Sequence, residues 1–201
     1  MPEYTMPLRK QDSNKGTFGK ILNISGSDNY IGAAYLSTLA SLKTGAGYTA
    51  LSAYDKVLDA VSKMLPEAVY INRSKAYKSI SDYSVILIGC GLGQDWFAVS
   101  DFLDFIKCIK DSNTPVIIDG DGLNILAKYQ SRIKLPENTI ITPHLKEASR
   151  LLNCELNNII KDKENCAKEL VYKFNCTVVL KSHETIICDK NNIFLSQIIV
   201  S

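Results

Sequence analysis

The chain has 201 residues, 46% of them apolar and 22% charged, with a formal net charge of +2. That length and apolar fraction suit one domain with a sizeable core, assigned to residues 1–201. A charge this small gives no electrostatic basis for binding nucleic acid or an acidic membrane.

No stretch approaches the length of a membrane span. The opening MPEYTMPLRK carries prolines and charges where a signal peptide needs an apolar segment, so the expected location is cytoplasmic. The six cysteines (90, 108, 154, 166, 176 and 188) have no zinc-knuckle or redox-pair spacing, and reduced thiols are expected. Two histidines cannot supply a three-histidine zinc site, and no metal ligand set is written in the residues.

Residues 1–13 read as an irregular lead-in, followed by the turn Asn14–Gly19 and a strand over Lys20–Ser25. After the turn Gly26–Asn29, Gly32-Ala33-Ala34 opens a helix with Leu36, Leu39 and Ala40 on one face, closed by Gly45-Ala46-Gly47. Strands are expected at Tyr48–Ala53 and Ala68–Asn72, with a helix near Tyr54–Lys63 between them. Arg73, Lys75 and Lys78 read as solvated charge.

Val85-Ile86-Leu87-Ile88 is a short apolar run that suits a strand covered on both faces. It enters a turn with Gly89, Gly91 and Gly93 at alternate positions, where positive φ and close backbone approach are available. Asp95 then introduces a helix with Phe97, Phe102, Leu103, Ile106 and Ile109 on its apolar face. Strand, glycine turn and helix start make a plausible anion cradle.

Pro115–Asp119 is a second buried strand, ending in Gly120-Asp121-Gly122-Leu123-Asn124. Thr139–Thr142 leads into Pro143-His144 and a short helix with Ala148, Leu151 and Leu152. Cys166, Ala167, Leu170, Val171 and Phe174 mark an amphipathic helix. Thr177–Lys181 is a strand, Ser182–Glu184 a turn, and Thr185–Cys188 a strand that Ile193–Leu195 joins. Strands alternating with helices argue for an α/β fold with a mostly parallel sheet, whose ligands bind beyond the C-terminal strand ends.

Several chemistries are available at that edge. Of Asp119 and Asp121, one suits Mg²⁺ or a substrate hydroxyl, and the other suits a cap on the helix beginning near Leu123. Asn124 suits a cap or a tie within the turn. His144 suits a substrate hydrogen bond, or satisfaction by nearby backbone. Lys181 suits a phosphate, or a strand-end lysine reaching for solvent. Cys90 has no histidine near it in sequence, so thiol catalysis is not the expectation.

Five of these motifs, in order, resemble the ADP- or ATP-dependent NAD(P)H-hydrate dehydratases of the ribokinase-like superfamily. They are KGTFGKILNISGS with IGAAYLSTLASLKTGAGYTAL, DYSVILIGCGLG, PVIIDGDGLNILA, TIITPHLKEASRLL and VVLKSHETII. The resemblance implies a three-layer sandwich with helices on both faces of the sheet. It places Ala33, Gly93 and His144 against the hydrated dinucleotide, and Gly91, Asp121 and Asn124 complete the expected substrate-binding set. It places Lys181, Ser182, His183, Glu184 and Thr185 along the phosphates of ADP or ATP, with Mg²⁺. The implied reaction phosphorylates the hydroxyl of the hydrated nicotinamide ring and then expels phosphate, restoring NADH or NADPH.

The chain departs from the family pattern at Cys90 (commonly proline), Leu145-Lys146 (proline-glycine) and Ser182 (glycine). The family's catalytic aspartate, on a Gly-Asp loop at a helix start, has no counterpart up to Ser201. The expectation is a C-terminally truncated domain with weak binding and little turnover. Its uncovered apolar surface would favour a homo-oligomer. A hydroxyethylthiazole-type kinase and a non-catalytic dinucleotide-binding remnant are the alternatives.

Overall fold

The computed structural model describes residues 12–110 and 112–196; nearly all of the expected lead-in lies outside them. The strands are β1 (Lys20–Ile24), β2 (Tyr48–Ser52), β3 (Val69–Ile71), β4 (Val85–Ile88), β5 (Val116–Ile118), β6 (Thr139–Ile141), β7 (Thr177–Leu180), β8 (Thr185–Cys188) and β9 (Ile193–Ser196). The helices are α1 (Ile31–Lys43), α2 (Asp55–Ser62), α3 (Arg73–Lys78), α4 (Trp96–Ile109), α5 (Asp121–Tyr129), α6 (Leu145–Leu152), α7 (Leu156–Lys161) and α8 (Lys163–Phe174). Among the described residues no helix is long and apolar enough to cross a membrane.

The strands form a nine-stranded sheet in the order β3-β2-β1-β4-β5-β6-β7-β8-β9. Pairing is parallel from β3 through β7, and antiparallel at β7–β8 and β8–β9. Short β-branched runs explain why the inner strands tolerate burial on both sides: Ile86, Ile88, Val116 and Ile118 are all fully buried. Leu22 and Ile24 share a core with Ile86, Phe102 and Phe105. Leu51 pairs opposite Asn23 and belongs to a second cluster with Ala34, Val57 and Val61. Because Asn23 alternates with Leu22 and Ile24, the two clusters lie on opposite faces of the sheet. Helices therefore cover both faces. This is the expected α/β sandwich.

Three details differ from the sequence reading. The inner face of α1 is Ala34, Thr38 and Ser41, while Leu36 is exposed and Ala40 points outward. The reason is a buried polar residue on β1. Asn23 donates through Nδ2 to Ser37 Oγ (2.8 Å) and Thr38 Oγ1 (2.9 Å), so the helix must present hydroxyls there. On α4 the buried set is Ala98, Phe102, Phe105, Ile106 and Ile109. Phe97 stands exposed, edge-on to Trp96 with ring centroids 5.2 Å apart.

The third concerns Arg73, which is no solvated charge. Its side chain is 11% exposed and its Nε lies 3.2 Å from Asp101 Oδ2 on α4. Nη1 donates to the Ser52 carbonyl at 2.6 Å, and the guanidinium sits over the Tyr54 ring. Tyr54 donates to Asp101 at 2.8 Å, and burial with that bond pushes its hydroxyl pKa up to about 12. Burial lowers the Arg73 pKa, and Asp101 opposes that effect. Arg73 thus ties the end of β2 to α4 across the start of α3.

Breaking such a buried pair leaves the partner charge uncompensated. Arg73→Ala is expected to lower unfolding free energy by about 3 kcal/mol, with Arg73→Lys recovering only part of it, measured by urea titration.

Candidate functional site

The strand order reverses between β1 and β4, and the crevice beyond their C-terminal ends is the usual ligand position in such sheets. The loops leaving these two strands are locked together. Gly26 N–H donates to the Cys90 carbonyl at 2.9 Å, and a Cβ on Gly91 would stand 2.6 Å from Ala33 Cβ and 2.7 Å from Tyr30 Cβ. Only glycine fits at 91, which brings Ala33 and Gly91 face to face.

The acidic turn after β5 docks on the same loop. A Cβ on Gly89 would fall 2.2 Å from the Asp119 carbonyl oxygen, and Asp121 N–H donates to the Gly89 carbonyl at 3.1 Å. The two carboxylates then reach in different directions. Asp121 accepts Gly93 N–H at 3.0 Å on Oδ2 and Gln94 Nε2 at 2.9 Å on Oδ1. Asp119 accepts Lys181 Nζ at 2.6 Å on Oδ1, and its Oδ2 has only a long contact with Cys90 Sγ at 3.9 Å.

Neither carboxylate caps α5, contrary to the helix-cap expectation. The helix starts at Asp121, and Gly120 precedes it without a side-chain cap. The carboxylates are instead used across strands, where buried loop donors need acceptors. Asn124 is likewise no cap: its Oδ1 takes Arg150 Nη1 at 2.7 Å from α6.

His144 ends up at the start of α6. Its Nδ1 accepts Lys146 N–H and Glu147 N–H at 3.1 and 3.2 Å, while Glu147 Oε2 accepts His144 N–H at 2.9 Å. A ring nitrogen that accepts backbone donors carries no proton, so the neutral ring has its N–H on Nε2. That Nε2 is 3.4 Å from Glu147 Oε1, and the side chain is half-exposed. His144 also bridges Lys181, whose N–H donates to the Pro143 carbonyl at 2.8 Å.

Ala33, Gly91, Gly93, Asp121, Asp119, Lys181 and His144 therefore form a connected line across the ends of β1, β4, β5, β6 and β7. Asn124 joins it one helical turn along α5. The turn after Lys181 is looser. Ser182 Oγ bonds back to the Glu184 carbonyl at 2.5 Å, and His183 is exposed, 4.0 Å from Glu184. Thr185 Oγ1 is buried without a hydrogen-bond partner. Asp119, Gln94 and Arg150 are absent from the sequence-derived set of ligand contacts. Asp119 showed in the sequence only as one of two turn carboxylates, while Gln94 and Arg150 gave no signal beyond neighbouring a motif.

Cys90 is inert in this setting. Burial, reinforced by the Asp119 charge, pushes its thiol pKa up to about 12, far from a reactive thiolate. All six cysteines are free.

Residues 21–198 match the family model described as NAD(P)H-hydrate dehydratase. The chain belongs to the NAD(P)H-hydrate dehydratase family. Membership sets aside the hydroxyethylthiazole-type kinase. Among its relatives, the bifunctional NAD(P)H-hydrate repair enzyme of Thermofilum pendens is 30% identical over 198 residues, covering 90% of this chain and 37% of that protein. The ADP-dependent (S)-NAD(P)H-hydrate dehydratase of Lactococcus lactis is 32% identical over 180 residues, covering 88% and 63%. This chain thus spans less than two thirds of either relative. A dehydratase from Bacillus subtilis, described as ADP/ATP-dependent and co-crystallised with ATP/Mg²⁺, superposes with a TM-score of 0.79 at 30% identity, covering 96% of this chain and 69% of that one.

Two outcomes follow from this dehydratase-family geometry. Gly93 has positive φ, but a Cβ added there would meet no atom closer than 3.7 Å, so Gly93→Ala should cost only the backbone strain, roughly 1–2 kcal/mol. Gly91→Ala must also push α1 away, and urea titration should show a larger loss. Cys90 and Cys176 both have thiols raised from 9.0 to about 12 by burial. Above pH 9 the unfolded chain releases these protons while the folded chain keeps them. Stability should therefore fall as pH rises through that window, and fall less steeply in a Cys90→Ala, Cys176→Ala variant.

Proposed function

We propose that this chain acts in nucleotide-dependent dehydration of NAD(P)H hydrate, with the dinucleotide over the β1–β4–β5 turns and ADP or ATP over the β7–β8 turn. The observation that carries this reading is the Asp119–Lys181 pair at 2.6 Å, which joins the acidic turn to the nucleotide-side turn. The ring hydroxyl of the hydrate attacks the terminal phosphorus of the nucleotide. The bond from phosphorus to the bridging oxygen breaks, and the hydroxyl proton passes to solvent water. The carbon–oxygen bond of the phosphate ester then breaks, phosphate leaves with the electron pair, and loss of a neighbouring proton restores the double bond of NADH or NADPH. A poor leaving group becomes a good one.

The residues have distinct tasks in this scheme. Gly91, Gly93 and Ala33 offer a surface without bulk, so the substrate meets backbone closely. Asp121 holds the Gly93 turn through two hydrogen bonds. His144 presents an N–H donor from Nε2 to the dinucleotide. Lys181, 39% exposed, supplies positive charge to the transferred phosphoryl group, and Asp119 fixes its position. Ser182, His183, Glu184 and Thr185 line the nucleotide phosphates.

A Mg²⁺ ion suits this donor set as well, because Mg²⁺ takes one or two carboxylates beside phosphate oxygens. Asp119 Oδ2 is the carboxylate oxygen without a short partner, and Asp119 would hold the ion. When bound, Mg²⁺ neutralises phosphate charge. No residue of this chain is proposed as the base.

The test is a turnover assay on the purified chain with hydrated NADH, ADP or ATP and Mg²⁺, following the reduced-nicotinamide absorbance. Recovery is expected to be nucleotide-dependent and slow, since no base is assigned, with Lys181→Ala weakening nucleotide binding about 10-fold or more. A folded chain that neither binds nucleotide nor restores absorbance would sink the reading. Binding of the dinucleotide without turnover would point to a non-catalytic binding role.

A further inference from the structure

An open groove runs between α5 and α6, lined by Gln94, Asn124, Ala127, Lys128, Arg150 and Asn153. Asn124, Ala127 and Lys128 are one face of α5 at i, i+3 and i+4, and Arg150 and Asn153 close the last turn of α6. Among the described residues the lining holds two cations, Lys128 and Arg150, and no carboxylate. At its near end Gln94 donates to Asp121, whose other oxygen takes the Gly93 N–H. The groove therefore starts at the turn assigned to the substrate and leads away from it.

The way Arg150 is held is the informative feature. Nη1 donates to a neutral amide, Asn124 Oδ1, at 2.7 Å. A carboxylate there would pair with the charge, whereas an amide orients the guanidinium without neutralising it. The remaining N–H groups keep the planar fork that suits a phosphate. Lys128 is exposed, with its ammonium 5.4 Å from the Tyr129 ring centroid.

We propose that this groove binds a phosphate group of the dinucleotide, gripped by Arg150 and Lys128. The proposal rests on the function argued above. A hydrated dinucleotide carries a bridging diphosphate, and the NADPH form adds a phosphate monoester on the adenosine ribose. Both present the same chemistry to the groove.

Isothermal titration of the full chain with NADPH, NADH and inorganic pyrophosphate separates the cases, comparing wild type with Arg150→Ala and Lys128→Glu. Lys128 is exposed, so its replacement tests the groove without disturbing the α5–α6 contact, and circular dichroism checks the fold of both variants. NADPH affinity should drop about 10-fold or more in each variant. An equal drop for NADH assigns the groove to the diphosphate, and a drop for NADPH alone assigns it to the monoester. Unchanged affinity of both variants for both dinucleotides would overturn the groove and leave the proposed function standing. Variant-sensitive pyrophosphate binding by a wild type that takes neither dinucleotide would instead overturn the dinucleotide assignment.

Discussion

A carbonyl oxygen stands in the space where residue 89 would have a side chain. The Asp119 oxygen lies 2.2 Å from the Cβ position of Gly89, closer than any real side chain allows. This contact lets the turn after β5 press against the turn after β4, and everything at the ligand edge depends on it. With the two turns in register, Asp121 can reach the Gly93 N–H and Asp119 can reach Lys181. Withdraw the β5 turn by the width of a methyl group, and both links lengthen beyond hydrogen-bond range; withdraw the β4 turn, and the Asp121–Gly93 link is lost.

The site is thus a set of backbone contacts stiffened by a few charged bonds. Gly91 against Ala33 fixes β4 to α1, and the Pro143 carbonyl accepting Lys181 N–H fixes β6 to β7. Cation and carboxylate at Lys181 and Asp119 are both partly solvated, so their pairing contributes modestly to stability. Its value is positional. On the proposed function, a lysine meant for a phosphoryl group is best held before the nucleotide arrives, since holding it afterwards would cost side-chain entropy at the moment of binding.

Polar groups inside the fold follow the same logic of fixed geometry. Asn23 on β1 forces α1 to turn hydroxyls inward, and Arg73 binds the end of β2 to α4 through Asp101 and the Ser52 carbonyl. Both anchor elements whose ends carry the switch-point loops. Farther along the ligand edge, Arg150 held by Asn124 performs a comparable positioning between α5 and α6.

The local order of this chain was legible without its structure. β-branched runs such as Val85–Ile88 and Val116–Ile118, glycine triplets and the proline-histidine turn act through short-range sterics, which depend only on neighbours in sequence. They marked the parallel strands, the edge proposed to bind ligands and the family motifs. Which groups meet across that edge was decided only by the tertiary structure. Asp119 and Lys181 are 62 residues apart, and nothing between them in the chain sets their separation. Arg73 looked solvated because a charge is usually exposed, yet Asp101 on a distant helix makes its burial tolerable. Phe97 fitted an apolar stripe, yet α4 rotates so that Phe102 and Phe105 fill the core and Phe97 faces outward. Periodicity gives the existence of a face, and packing against the sheet chooses its direction.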